Sequence, residues 1–195
     1  MTENYNLIKI ERTVGKELDG IRYRHTLGVM YTAASLAMRY DISLLQKAQV
    51  AGLLHDCAKC IPNEKKIKMC EKRGIEITPI ERRIPSLLHA KLGAVLAKEK
   101  YGIRDADILG AIRWHTTGKP DMSLLEKIIF EADYIEPMRD KARNLAVIRE
   151  IAFTDLDRAV FMTLRDTLEY LEDGDDRLDD RSKEALDFYD DLISE

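Results

Sequence analysis

The stretch Leu44-Leu45-Gln46-Lys47-Ala48-Gln49-Val50-Ala51-Gly52-Leu53-Leu54-His55-Asp56 decides how this chain is read. Leu44, Leu45, Ala48, Ala51, Leu54 and His55 recur at steps of three and four, the period of a helix with one apolar face. The run closes on a histidine whose preceding neighbours are both leucine, followed at once by an aspartate.

The same period extends outward in both directions, and strand-like alternation between turns is nearly absent. Towards the N-terminus, a helix is predicted from an N-cap at Thr2 to about Leu18, broken by Asp19-Gly20. A second runs from about Ile21 to Arg39, with His25, Val29, Thr32 and Leu36 on one face. Towards the C-terminus, Pro62 opens a short basic helix that Gly74 closes. Residues 75–84 read as a loop holding Pro79, and Pro85 starts a helix that reaches about Lys100. Asp105 caps a helix ending near His115, and Thr116-Thr117-Gly118-Lys119-Pro120 is a loop. Ser123 with Glu126 forms a capping box for a helix through about Glu136, stopped by Pro137. Thr154 with Asp157 repeats that signal for a helix to about Leu171. Glu172 to Asp176 reads as a turn before a last amphipathic helix. No repeat or linker divides the chain. The expectation is an all-α, single-domain bundle of roughly eight to ten helices over residues 1–195.

Composition narrows the class. The chain has 195 residues, 45% hydrophobic and 34% charged, which suits one globular core rather than a disordered chain. A net charge of −4 gives no global positive field, so nucleic acid is not an expected partner. The 31 lysines and arginines still allow a local pocket for phosphates. No apolar run approaches the roughly 18 residues that cross a bilayer, so no membrane partner is expected. The first residues lack the pattern of a signal peptide, and three cysteines, an odd number, make no disulfide framework. The expected compartment is the cytoplasm, with reduced thiols.

The four histidines, His25, His55, His89 and His115, all fall on predicted helices or at their ends, among apolar neighbours. A lone histidine in such a place is ordinarily a satisfied core residue, but here none is left for ordinary surface use. Asp56 diverges from His55 by about 100° on a helix, yet both can reach a metal cluster seated against it. Nitrogen and oxygen donors together favour Fe, Mn, Co, Zn or Ni over a thiolate-type site. Lys59, three residues on, shares the face of Asp56 and can reach a phosphate. Asp133 lies in the apolar run Ile128 to Ile135, where a carboxylate needs an ion pair, with Arg139 or Arg143, or a metal. Six donors in this order could supply two metals bridged by Asp56, roughly 3.5–4 Å apart.

With these residues in view, the chain resembles the HD-domain phosphohydrolases. It resembles most the YqeK-type branch, symmetrical dinucleoside tetraphosphate hydrolases that cut Ap4A into two ADP. The matching runs are Arg22-Tyr23-Arg24-His25-Thr26-Leu27-Gly28-Val29, Ala51-Gly52-Leu53-Leu54-His55-Asp56 with Lys59, and Leu88-His89. They continue with His115-Thr116-Thr117-Gly118 and Ala132-Asp133-Tyr134-Ile135-Glu136-Pro137 with Arg139. The resemblance covers about residues 20–143, with the rest of the chain packed on that core.

It implies a metal centre that commonly contains iron, with manganese or cobalt as alternatives, and a nucleotide pocket beside it. The metal ligands it implies are His25, His55, Asp56, His89, His115 and Asp133, with catalytic roles for Asp56 and Lys59. Substrate contacts pass to Lys59, Thr116, Thr117 and Gly118, and to Arg22, Glu136 and Arg139. A metal-activated water would attack an inner phosphorus of a dinucleoside polyphosphate. Lys59 and an arginine would meet the developing charge, and amides of the Thr117-Gly118 loop a phosphate. The alternatives are another HD-type phosphohydrolase or phosphodiesterase, and a module that senses metal and nucleotide without turnover. A homodimer is left open.

Other signals read as structural. Cys57-x-x-Cys60 has no second pair to complete a zinc site, and Cys70 sits in a charged helix. The acidic turn at Glu172 lacks the spacing of a calcium loop. Lys65-Lys66-Ile67-Lys68 reads as a solvated face, with an entrance patch for polyphosphate as the alternative. Trp114 reads as a core aromatic or a base-stacking surface. Walker-type and GxGxxG loops are absent.

Overall fold

The computed structural model of the protein describes residues 5–173 and 179–194. Among the described residues there are eleven α-helices and no strand. They are α1 (Leu7–Val14), α2 (Gly20–Tyr40), α3 (Leu45–Leu54), α4 (Asn63–Lys72), α5 (Pro79–Arg83) and α6 (Leu88–Tyr101). They continue as α7 (Ala106–Trp114), α8 (Leu124–Ile135), α9 (Leu145–Ile151), α10 (Leu156–Asp173) and α11 (Asp180–Ser194). Single 3-10 turns, Ile42–Leu44 and Pro85–Leu87, lead into α3 and α6.

Local chemistry sets most of the starts. Asp19 accepts the amides of Ile21 and Arg22 and opens α2. Asp105 does the same for Asp107 and Ile108 at α7. Ser123 and Glu126 close the expected capping box at α8. Each cap satisfies amides that the helix leaves open, at roughly 1 kcal/mol apiece.

Four starts differ from the sequence reading. The cap of α1 is Asn6, whose side chain accepts the Lys9 amide; Thr2 lies outside the described residues. Residues 75–84 are not all loop. Thr78 and Glu81 form a second capping box and Pro79 takes the first helical position, so one short helix, α5, forms there. α9 has no side-chain cap and starts from Asn144 at a φ of 49°, so no local signal marked it. The cap of α10 is Asp155, which accepts the Arg158 amide at 3.0 Å, while Thr154 donates back to Ile151. Of the acidic run, Glu172 and Asp173 end α10 and residues 174–176 lie outside the described residues.

The centre is built from α2, α3, α7 and α8, which pack on one another. Leu36, Leu53, Leu54, Ile108, Ile112, Ile128 and Ile129 are fully buried there. Each such side chain contributes on the order of 1.5–3 kcal/mol by leaving water. Around it, α6 covers α7, α4 covers α6, α10 covers α8 and α11 covers α10. Gly52 fixes how closely α2 and α3 approach: a Cβ at residue 52 would stand 2.8 Å from the Met30 Cα. Lys66 is 3% exposed and its ammonium donates to the Asn63 amide oxygen, so α4 is not solvated all along its basic run. No described helix is long and apolar enough to cross a membrane.

Candidate metal centre

Five helices deliver the four histidines and two aspartates to one place. His25 comes from the first half of α2, and His55 with Asp56 from the end of α3. His89 comes from the start of α6, His115 from the end of α7 and Asp133 from α8. All four rings are buried, and Asp56 is 2% exposed.

The rings are oriented by what their outer nitrogens touch. Nδ1 of His55 meets the Gly52 carbonyl at 2.7 Å, that of His89 the Ser86 carbonyl at 2.7 Å, and that of His115 the Ile112 carbonyl at 2.8 Å. A carbonyl can only accept, so each Nδ1 carries the proton and each neutral ring turns a bare Nε2 inward. Each partner lies three residues earlier, within reach of a ring at a helix end. His25 Nδ1 instead meets the Glu136 carboxylate at 3.0 Å.

Inside, Nε2 of His25 lies 3.3 Å from Nε2 of His55 and 3.1 Å from Asp133 Oδ1. Nε2 of His89 lies 3.1 Å from Nε2 of His115. Two bare nitrogens at such distances repel unless a cation stands between them. Asp56 lies across both groups: Oδ2 is 3.4 Å from His55 and 3.8 Å from His25, while Oδ1 is 3.1 Å from His89 and 3.7 Å from His115. Asp56 Oδ1 is buried with no hydrogen-bond partner. Such an orphaned oxygen costs roughly 1–3 kcal/mol or more unless something positive faces it. The donor set and this oxygen fit a divalent cation, and the triads His25-His55-Asp133 and His55-Asp56-His115 each gather donors within 4.8 Å.

The electrostatics agree. Burial pushes the pKa of Asp56 up, and the His55, His115 and His89 rings facing it outweigh that and hold it well below its usual range. Burial opposes ionisation of Asp133 too, and the His25 ring beside it, with His55 and His115 further off, outweighs that and keeps the carboxyl low. Burial, against the pull of Asp56 and with the Lys59 ammonium alongside, pushes His89 down to about 4. A divalent cation supplies positive charge to the two carboxylates without protonating the rings that would hold it.

Among the other expected site residues, four reach the cluster. Arg22 donates to Asp56 Oδ2 at 2.8 Å. Lys59 donates to His89 Nε2 at 3.2 Å, and Thr116 Oγ1 lies 3.2 and 3.1 Å from Nε2 of His89 and His115. Arg139 donates to Asp133 Oδ1 at 3.0 Å. Three do not present themselves as expected. The Thr117 carbonyl accepts from Ser182 in α11. The Gly118 amide already donates to the Trp114 carbonyl at 2.9 Å, and Gly118 is buried against Leu164, Met122 and Phe130. Glu136 is buried behind His25 rather than open to a ligand. The sequence reading missed Gly28 and Gly52, although their places three residues after His25 and three before His55 were visible.

A cavity of 740 Å³ opens beside the cluster, lined in part by Arg22, Arg24, His25, Tyr134, Arg139 and Tyr170. The cysteines stay outside the site. Burial, with the Asp56 charge, pushes the Cys57 thiol up to about 12, Cys60 is exposed beside Asp19, and Cys70 packs against Leu88 and Leu92. Trp114 carries the guanidinium groups of Arg113 and Arg181 over its ring, at 5.0 and 5.5 Å.

Known proteins resemble this chain in sequence and fold. The sequence model of the HD domain matches residues 22–138. A Bacillus subtilis protein named symmetrical bis(5'-nucleosyl)-tetraphosphatase is 40% identical over 158 residues, 81% of this chain and 83% of that one. A Staphylococcus aureus protein of the same name is 32% identical over 94% of both chains. A crystal structure from Clostridium acetobutylicum, described as a predicted HD superfamily hydrolase involved in NAD metabolism, superposes with a TM-score of 0.91. It is 41% identical, with 96% of this chain and 98% of that one covered. Helices that bring a His-Asp pair to three further histidines and a distant aspartate, with likeness along nearly the whole length, leave one assignment: the chain belongs to the HD-domain family, in the branch of the symmetrical bis(5'-nucleosyl)-tetraphosphatases.

Proposed function

We propose that the protein hydrolyses dinucleoside tetraphosphates symmetrically, Ap4A and water giving two ADP, with a pair of divalent metals. The carrying observation is Asp56, buried, with one oxygen turned to His25 and His55 and the other, unpartnered, to His89 and His115. A carboxylate so placed suits a bridge between two ions. His25, His55, Asp133 and Asp56 Oδ2 would hold one, and His89, His115 and Asp56 Oδ1 the other. Nitrogen and oxygen donors without thiolate suit Fe, Mn, Co, Zn or Ni, and the resemblance to the family makes iron the expected metal, with manganese or cobalt as alternatives. The chemistry such ions supply is activation of a water and neutralisation of phosphate charge.

The chain's own groups do the rest. Lys59 and Thr116 face the His89–His115 side, where an ammonium and a hydroxyl can hold phosphate oxygens. Arg22 and Arg139 flank the other side and can follow charge onto the departing diphosphate. The water's oxygen joins an inner phosphorus, the bond to the bridging oxygen between the two inner phosphates breaks, and that oxygen leaves with the second ADP. The adjoining cavity, with Tyr134 and Tyr170 in its lining, is of a size for one nucleoside half.

Ion-exchange separation of the products after incubation of Ap4A with the protein and Fe(II), Mn(II) or Co(II) tests this. ADP alone is expected. ATP with AMP would overturn the point of attack, and no turnover with any of the three would overturn the activity.

A further inference from the structure

Three of the four histidines are held by carbonyls of their own chain segments, three residues back, because they sit at helix ends. His25 lies inside α2, where the neighbouring carbonyls belong to the helix ladder. Its ring is held from another element, by Glu136 Oε1 at 3.0 Å. Glu136 is 2% exposed, and its second oxygen accepts the Met138 amide at 2.6 Å. Both oxygens are therefore committed within the protein. The backbone around it is clamped as well: Arg149 of α9 donates to the carbonyls of Ile135, Glu136 and Arg139.

The carboxylate fits because residue 28 has no side chain. A Cβ on Gly28 would stand 2.5 Å from Glu136 Oε2, closer than atoms can approach. Residues 25 and 28 are one turn apart on the same side of α2. A glycine inside a helix costs up to about 1 kcal/mol relative to alanine, so the space it leaves has to serve something.

We propose that Glu136 is the positioning residue of His25, and that Gly28 is the vacancy that admits it. The pair aims His25 Nε2 at Asp133 and makes this ring a stronger donor to a divalent cation. A carboxylate is the stronger acceptor, so His25 depends on a charged partner where the other three rings depend on backbone. The proposal rests on the reading of the cluster as a metal centre.

The test is Co(II) binding to the metal-stripped full chain, followed by visible absorption and by metal content. The proteins are wild type, Glu136→Gln, Glu136→Ala, Gly28→Ala and the double variant Gly28→Ala/Glu136→Ala. Circular dichroism melts report whether each folds, and kcat and KM for Ap4A are taken at saturating metal. Each single variant is expected to loosen Co(II) about 10- to 100-fold with KM unchanged, the range for loss of an outer partner of a ligand. The double variant is expected to match Glu136→Ala, because once the carboxylate is gone the added methyl has nothing to displace. Unchanged Co(II) affinity with a raised KM in Glu136→Gln would overturn the proposal and return Glu136 to the substrate. Additive losses in the double variant would overturn the role of Gly28. A wild type that binds no Co(II) would overturn the metal-centre reading itself, a result distinct from either. Should Gly28→Ala fail to fold, Glu136→Gln, which keeps the side chain's shape, still decides.

Discussion

The proposed chemistry meets in the Asp56 side chain, because its two oxygens face different pairs of histidines and one of them has no hydrogen-bond partner. Asp56→Ala is expected to reduce bound metal to near background and to abolish Ap4A turnover, with metal content measured alongside rate. The two adjacent threonines should separate. Thr116 lies within hydrogen-bond distance of two inward nitrogens, whereas Thr117 turns its carbonyl to α11. Thr116→Val is expected to lower kcat/KM about tenfold, the worth of one hydrogen bond, and Thr117→Val to leave it near wild type. The histidines and aspartates were legible because each stood out chemically among apolar neighbours. Glu136 was legible as a residue with a role, but not as the holder of His25. That contact spans 111 residues, and no local pattern records it.

Helices carry these residues to their places, and glycine sets the spacing between two of them. Gly52→Ala puts a methyl 2.8 Å from the Met30 Cα, against backbone that cannot step aside. The variant is expected to lose about 1–3 kcal/mol, the usual cost of overpacking, read from the urea midpoint. Metal binding should loosen with it, because α2 carries His25 and α3 carries His55. Ser123→Ala removes one side of the α8 capping box and should cost roughly 1 kcal/mol without altering metal content. Elements with a cap or a strong apolar period were readable from sequence, as α2, α7 and α8 show. α9 was not, because it starts from a left-handed asparagine and its stability comes from burying Leu145 and Ile148. α5 did carry a capping box and a leading proline, and at five residues it is too short for periodicity to reveal.

Across the whole molecule, one buried acid couples stability to pH. Glu131 is fully buried between α8 and α10, accepts only from Thr163, and burial pushes it up to about 8. Its folded pKa lies above the unfolded value near 4.5, so the folded state holds a proton that the unfolded chain has released. This contribution is fully present below pH 4.5 and is lost as pH rises through about 8. Thermal melts from pH 5 to about 8.5 should show wild type weakening relative to Glu131→Gln, which stays neutral throughout. Parallel curves would show that Glu131 ionises without penalty. Sequence alone determined the helical class and most helix starts, and singled out the four histidines and two aspartates that the structure brings together, because periodicity, caps and buried polar chemistry act within a few residues. Only the tertiary structure decided which nitrogen of each ring turns inward, that Asp56 spans two groups of histidines, and that Glu136 and Gly28 serve His25. These are contacts between segments far apart in the chain, fixed by how closely the helices pack.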